Sequence, residues 1–377
     1  MRMKISRLLI CLAAAGFSSA AAADAPPKPF STEQLSERLH VIYGGSGHGA
    51  HIGVCEGDDG LLLIDTMRVD SVQNLVAAIR EISDKPVELV INTHAHSDHA
   101  GGNAYFSERG AIIVGHNASD FSDSPARVRT DGSFKLDYCG EQISATHLIA
   151  HTRGDLYVFF EESDVLFMGD AFTNTYYSAG YARGLRSERT AIELAQSIVS
   201  PSTQIVPGHG FVDDQRGLAQ SLALIKKWFA RVGELHASGM SVSEMAADKE
   251  LVALDRQFFE RVTRGDSATA NLERYIRRTI ASEFIDSAEL SSAEIESVVG
   301  RYRVDGQPDF EISIADGEIL LSQHGAFIRE LIPVAKDKFL LRGGIDTDLT
   351  VKFAEDGKAQ SLELRDGSNR VVANRPH

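Results

Sequence analysis

Three histidines and an aspartate fall within six positions of the segment INTHAHSDHAGGN, as His94, His96, Asp98 and His99. Imidazole nitrogen and carboxylate oxygen are donors that suit Zn²⁺, and Fe or Mn as well. The spacing says how they could share metal. The preceding run VELVIN (87–92) is apolar and reads as a buried strand, so Thr93 and His94 emerge at its carboxyl end. That end is where α/β folds gather their ligands. In extended chain, residues i and i+2 point the same way, so His94 and His96 can approach one ion. A turn then carries Asp98 and His99 toward a second position. The glycines of AGGN let backbone come close there, having no Cβ.

Two ions need further donors, and three other strand ends offer them. His151 follows THLIA and precedes Thr152-Arg153-Gly154-Asp155. Asp170 ends VLFMG, and His209 sits in PGHG after QIV. A single histidine at a strand end is more often a satisfied surface or core residue, and a single Gly-Asp is usually a turn. Their coincidence with the dense first cluster reverses that reading in favour of a metal site. His147 shares the strand parity of His151 and competes with it on position alone.

The elements that must carry these residues follow from apolar periodicity. LHVIYGG (39–45), HIGVCEG (51–57), LLLIDT (61–66), AIIVG (111–115), EQISATHLI (141–149), DLYVFFEE (155–162), VLFMGD (165–170) and QIVPG (204–208) read as strands. Residues 70–82 place Val72, Leu75, Val76 and Ile79 on one helical face, and a second helix spans 187–199. Strands with interspersed helices make an α/β domain over residues 30–212. Several consecutive strands without helices between them exclude a simple doubly wound sheet. From 213 to 290 the pattern is helical, with one long amphipathic run ending at Gly239. Residues 291–377 alternate short apolar runs with Asp-Gly pairs at 305–306, 316–317, 356–357 and 366–367. Asp-Gly is hairpin chemistry, so this segment reads as an antiparallel β domain, a small sheet or partly closed barrel.

The first 23 residues carry Arg2, Lys4 and Arg7, then LLICLAAAGF, then Ala21-Ala22-Ala23. A charged start, a short apolar stretch and a small-residue cleavage site read as a secretory signal peptide, 1–23. The apolar stretch is too short to span a bilayer. A periplasmic or secreted enzyme is therefore expected, with no transmembrane span after cleavage. A net charge of −15 keeps the chain soluble and repels nucleic acid and anionic membrane, which leaves a small-molecule substrate. Cys55 and Cys139 remain after cleavage. Both lie in strand-like apolar surroundings, which favours buried free thiols over a pair. Oligomeric state has no signature in the sequence.

Together, His94-x-His96-x-Asp98-His99, HTRGD (151–155), FMGD (167–170), PGHG (207–210) and LLLIDT resemble the metallo-β-lactamase-fold hydrolases, over about residues 35–212. The resemblance implies an αββα sandwich with a dinuclear zinc site at one edge. Carried over, His94, His96 and His151 would hold the first metal. Asp98, His99 and His209 would hold the second, and Asp170 would bridge them. The family context of HTRGD favours His151 over His147. The chemistry implied is attack by a metal-activated water, with Asp98 orienting it and passing on a proton. In one lactamase branch a cysteine stands at the position of Asp170, with a lysine three residues later, where this chain has Thr173. An aspartate there resembles the broader hydrolases, including glyoxalase II, thioesterases and lactonases. An ester, thioester, lactone or related bond is the expected target, with a β-lactam, a dioxygenase role or a non-catalytic zinc protein as alternatives.

Residues around the site are read more loosely. The loop Gly45–His51 should overhang it, so His48 and His51 are candidate substrate contacts. So are Tyr176 and Tyr177, although packing suits a tyrosine pair better. Arg153 reads as a solvated turn residue, and Arg274, Arg277 and Arg278 as a solvated helix face. His116 is a rim candidate, and His40 and His236 read as structural or surface residues. The last β segment resembles accessory domains appended to periplasmic hydrolases, through GRYRV and its Asp-Gly turns.

Overall fold

The structure is a computed structural model, and it describes residues 30–45, 47–119, 121, 128–174, 180, 182–258, 268–323 and 326–376. The expected signal peptide, Tyr176 and Tyr177 lie outside the described residues.

Two sheets face each other in the first half of the chain. The first runs in chain order through β1 (Thr32–Gln34), β2 (Leu39–Ile42), β3 (Ile52–Glu56), β4 (Leu61–Ile64), β5 (Val87–Ile91), β6 (Ile112–His116) and β7 (Val128–Thr130). Its strands are antiparallel as far as β4 and parallel from there on. A parallel connection needs a crossover. The helix α1 (Val72–Ile82) supplies it between β4 and β5, and the short helices α2 (Ser97–Ala100) and α3 (Asn103–Ser107) between β5 and β6. The second sheet has the order β12-β11-β10-β9-β8. Its strands are β8 (Phe134–Tyr138), β9 (Glu141–Leu148), β10 (Asp155–Phe160), β11 (Val165–Thr173) and β12 (Gln204–His209). The parallel β11–β12 pair is crossed over by α4 (Leu185–Ile198).

Leu62, Ile64 and Ile91 of the first sheet meet Ile143, Leu156, Val158, Phe167 and Val206 of the second in one buried cluster. On the outer face of the first sheet, Leu75, Ala78 and Ile79 of α1 pack on Leu61, Leu63 and Val90. On the outer face of the second, Ile192 and Ala195 of α4 pack on Leu166, Met168 and Ile205. The layers are therefore α, β, β and α. Strands buried on both faces account for the continuous apolar runs LLLI and VLFM.

Cys55 of β3 and Cys139, in the turn between β8 and β9, form a disulfide, with Cα atoms 6.2 Å apart. This corrects the expectation of free thiols. Both side chains belong to the inter-sheet cluster, so the apolar setting that suggests separate buried thiols is one shared setting. The bond ties the two sheets together across 84 residues of chain.

Next comes α5 (Gln215–Ala237), followed by α6 (Val242–Ala246), α7 (Lys249–Phe258), α8 (Ala268–Glu283) and the short α9 (Ser292–Val298). Gly239, at φ +81°, follows the end of α5, in the left-handed region that glycine occupies at helix ends. Trp228, Val232, Leu251 and Ile276 form the core of this segment, and Trp228 Nε1 donates to Thr279 Oγ1 at 2.8 Å. Among the described residues no helix is long and apolar enough to cross a membrane.

The chain ends in eight strands paired in sequence order, all antiparallel. They are β13 (Gly300–Tyr302), β14 (Phe310–Ala315), β15 (Glu318–Gln323), β16 (Ala326–Ala335), β17 (Lys338–Leu341), β18 (Thr347–Phe353), β19 (Ala359–Asp366) and β20 (Asn369–Asn374). Arg303 and Asn374 exchange backbone hydrogen bonds of 2.7 and 2.9 Å, which joins the first strand's end to the last. The sheet curls around its own core, including Tyr302, Phe339, Leu349 and Leu362. Asp316 and Gly317, both at positive φ, make the tight β14–β15 turn.

Candidate metal centre

Each candidate ligand leaves a strand at the same end of the sandwich. Asn92 and Thr93 continue β5, and His94 follows them into the opening. His96 precedes α2, whose first turn carries Asp98 and His99. His99 N and Ala100 N both donate to His96 O at 2.9 Å, which tightens that turn. His151 lies just past β9, Asp170 within β11 and His209 at the end of β12. Two glycines make the approach possible. A Cβ on Gly208 would stand 2.1 Å from Asp170 Oδ1. Gly169 sits at φ +52°, and a Cβ there would stand 2.6 Å from Thr93 Oγ1.

All seven side chains come together. His94, His96 and His151 converge, with every donor atom within 4.8 Å of the others. Asp98, His99 and His209 converge on the same criterion, and Asp170 groups with His94 and His99. The two oxygens of Asp170 divide between the groups. Oδ1 is 3.2 Å from His99 Nε2 and 3.4 Å from His209 Nε2. Oδ2 is 3.6 Å from His151 Nε2.

The donor set fits a metal. His96 Nδ1 lies 2.9 Å from both His94 Nε2 and His151 Nε2. Three ring nitrogens turned toward one another can each present a lone pair, since a neutral imidazole carries one lone pair and one proton on its two nitrogens. Tetrahedral zinc with ligands at about 2.0–2.1 Å sets neighbouring donors roughly 3.3 Å apart, close to this spacing. A cation among them would take all three lone pairs at once.

Burial opposes charge throughout the cluster, and neighbours decide the outcome. At His99, Asp170 and Asp65 outweigh burial and hold the pKa well above its ordinary value. His209 is raised against burial in the same way, by Asp170 and Asp98. Burial keeps His94 well below the usual range, helped by the imidazoles of His99, His96 and His151. Burial also lowers His151 to about 3, against the pull of Asp170. Burial favours the neutral acid at Asp98 and Asp170, yet the surrounding imidazoles, His209 and His99 foremost, hold both carboxyls low. The first group therefore presents neutral imidazoles, the form that binds metal, beside ionised carboxylates.

Asp65 is a site residue that the sequence reading does not single out. It ends the LLLI strand at φ +64° and is 1% exposed. Its carboxylate takes Thr93 N at 2.8 Å, Thr93 Oγ1 at 2.7 Å and His99 Nδ1 at 2.8 Å. Holding Nδ1 turns His99 Nε2 toward Asp170, the arrangement by which an outer carboxylate fixes a metal-binding imidazole. Its one sequence signal is an acid where an apolar strand runs out, the signal that marks Asp170.

Several neighbouring candidates are not among the grouped donors. His147 Nε2 bonds to Arg153 O at 2.9 Å, and its ring stacks on His116 at 3.6 Å. His48 faces Ser71 Oγ at 3.2 Å. His51 is buried, with Nε2 3.1 Å from Gly210 O, and burial lowers it to about 4. Arg153 corrects the expectation of a solvated residue. It is 5% exposed and pairs with Asp316 and Glu318 of the C-terminal sheet, each at 2.5 Å. Those partners lie more than 160 residues away, so local sequence carries no sign of them.

Comparisons with known proteins agree with this geometry. The family model described as the metallo-beta-lactamase superfamily matches residues 45–138. The chain is 24% identical over 170 residues to a probable hydroxyacylglutathione hydrolase of Schizosaccharomyces pombe. That alignment covers 43% of this chain and 63% of the relative, so the chain spans less than two thirds of that protein's length. It is 23% identical over 254 residues to metallo-beta-lactamase IND-1 of Chryseobacterium indologenes, covering 60% of this chain and all of that one. Among solved structures, the stereoselective inverting sec-alkylsulfatase Pisa1 from Pseudomonas sp. shares the fold. Its TM-score is 0.51 at 13% identity, over 66% of this chain and 50% of that one. Over its matched segment, residues 45–138, and in its αββα sandwich, the chain is similar to the metallo-beta-lactamase superfamily.

Proposed function

We propose that this chain is a metal-dependent hydrolase with a dinuclear zinc centre, cleaving an ester, thioester, lactone or related bond of a small molecule. The observation that carries the reading is Asp170, a buried carboxylate with one oxygen toward the His99–His209 side and the other toward His151. His94, His96 and His151 would hold the first ion, and Asp98, His99 and His209 the second. Zinc in such a site acidifies bound water and polarises the scissile oxygen. The chain's own residues do the rest. Asp170 fixes the separation of the two halves. Asp65 keeps His99 in one tautomer. Asp98 lies 3.2 Å from His209 Nε2 and keeps 31% of its side chain exposed, so it can orient water at the mouth and accept its proton. Fe or Mn suits the same donors.

Relatives named hydroxyacylglutathione hydrolase support a thioester or ester target. The match along the full length of IND-1 favours a second reading, a β-lactamase. Against that reading stand Asp170 and Thr173, where one lactamase branch resembled here carries cysteine and lysine. Removal of a leader at residues 1–23 would deliver the chain to the periplasm or the exterior. The Cys55–Cys139 disulfide supports such an oxidising compartment.

Turnover by the zinc-loaded protein of a chromogenic ester, a chromogenic thioester and a chromogenic cephalosporin tests these readings together. The hydrolase reading expects ester or thioester cleavage that a chelator abolishes and zinc restores. Cephalosporin cleavage alone would favour the second reading. Zinc bound with none of the three cleaved would favour a non-catalytic protein.

A further inference from the structure

The turn that carries His151 is held from three sides. Ala150 N donates to Thr152 O at 3.0 Å, and Thr152 N donates to Asp155 at 2.9 Å. On one flank Ser187 Oγ, from α4, donates to Ala150 O at 2.8 Å. On another, Ser119 Oγ donates to Gly154 O at 3.0 Å, and His147 Nε2 meets Arg153 O. The third side belongs to the C-terminal sheet. Arg153 Nη2 donates to Asp316 Oδ2 and Nη1 to Glu318 Oε2. Glu318 also takes Arg183 Nε at 2.6 Å, just before α4. One carboxylate from the tip of the β14–β15 hairpin thus grips two segments beside the candidate metal ligands.

The burial of Arg153 separates this contact from ordinary docking. Surface ion pairs contribute little and are screened by salt. A guanidinium taken almost wholly out of water is costly unless its partners are in place, so the turn's conformation depends on the hairpin. The C-terminal sheet therefore reaches the turn that carries His151.

We propose that the C-terminal β domain is a working part of the metal centre, with Glu318, seconded by Asp316, gripping Arg153 to position His151 for its ion. This rests on the metal centre proposed above. Glu318 is a positioning residue, two links removed from the metal. Outer groups that orient ligands are worth about 10–100-fold in metal affinity.

The test is a zinc titration of the full-length apo-protein against a chromophoric chelator, with thermal unfolding followed alongside. Glu318→Gln should weaken zinc binding about tenfold or more. The control is Glu330→Gln, which removes a comparably buried pair with Arg342 in the same sheet. It should lower the unfolding temperature yet leave zinc affinity within about twofold. Should Glu318→Gln fail to fold, Arg153→Met removes the buried charge and leaves Glu318 its Arg183 partner. The same loss of zinc affinity is expected. Wild-type affinity in a folded Glu318→Gln or Arg153→Met protein, or an equal loss in Glu330→Gln, would overturn the positioning role while leaving the metal centre standing. A wild-type chain that binds no zinc would overturn both.

Discussion

The metal end of the sandwich and the interior of the C-terminal barrel are both shielded from water, yet opposite chemistry fills them. Aromatic and aliphatic side chains around Tyr302, Phe339 and Leu349 fill the barrel. At the metal end, His94, His99, His151, Asp170 and Asp65 are all buried. An apolar core stabilises by removing carbon surface from water. A cluster of buried imidazoles and carboxylates works against that gain, because each charge resists desolvation. The barrel is what a sequence selected for folding produces. The donor cluster at the other end is one that a cation among its nitrogens and oxygens would fit.

Five variants would sharpen or break this contrast, taken from the largest expected effect down. His96→Ala and Asp98→Ala should each cut turnover of the best chromogenic substrate by about 10³-fold or more, while the unfolding curve of the barrel stays in place. Full activity in either variant would remove the ligand assignment. Replacing Cys55 and Cys139 by alanine should lower the unfolding free energy by about 2–5 kcal/mol, since the bond closes a long loop. Denaturant titration in oxidising buffer measures this, and an unchanged midpoint would mean the sandwich holds its sheets together without it. Asp65→Asn should weaken zinc binding about 10–100-fold by releasing His99 Nδ1, a change that chelator competition can follow. In the barrel, Tyr302→Phe loses the bond to Val298 O and the one from Arg375. A cost of about 1–3 kcal/mol follows, with zinc affinity unchanged.

Proton competition gives the contrast a pH signature. The pKa values of His99 and His209 are raised in the folded chain, so both hold protons more tightly there than when unfolded. Their contribution to the stability of the apo-protein is present below the unfolded value of about 6.5 and is lost as pH rises through the folded values. A metal must displace those protons. Zinc affinity should therefore rise with pH above the unfolded value of about 6.5, as both imidazoles give up their protons. A flat profile across that window would contradict the second ligand group.

Much of the site was legible in the sequence because a strand end is a local event. VELVIN, VLFM and QIV each announce a buried strand, and the donor follows within three residues. Gly169 and Gly208 can be read the same way, since each sits next to the donor whose approach it permits. The remaining features depend on distant partners. Cys55 and Cys139 each look like a lone apolar thiol until the two sheets close on them. Arg153 looks solvated until Asp316 and Glu318 arrive from the C-terminal sheet. Asp65 resembles any acid that ends a strand, because its role is set by His99 across the sheet. Strands such as Thr32–Gln34 and Phe134–Tyr138 were not read, their exposed or half-buried residues offering little apolar pattern. The barrel was legible in outline through its Asp-Gly turns. Its hairpin tip at Asp316 gave no sign that it faces the metal end.

The central claim is that seven side chains from four strand ends make one two-metal site, and elemental analysis of the purified full-length chain tests it most directly. The account predicts close to two transition-metal ions per chain, with no more than one remaining in His96→Ala. A chain that carries no bound transition metal, or a His96→Ala protein that retains the full complement, would contradict it.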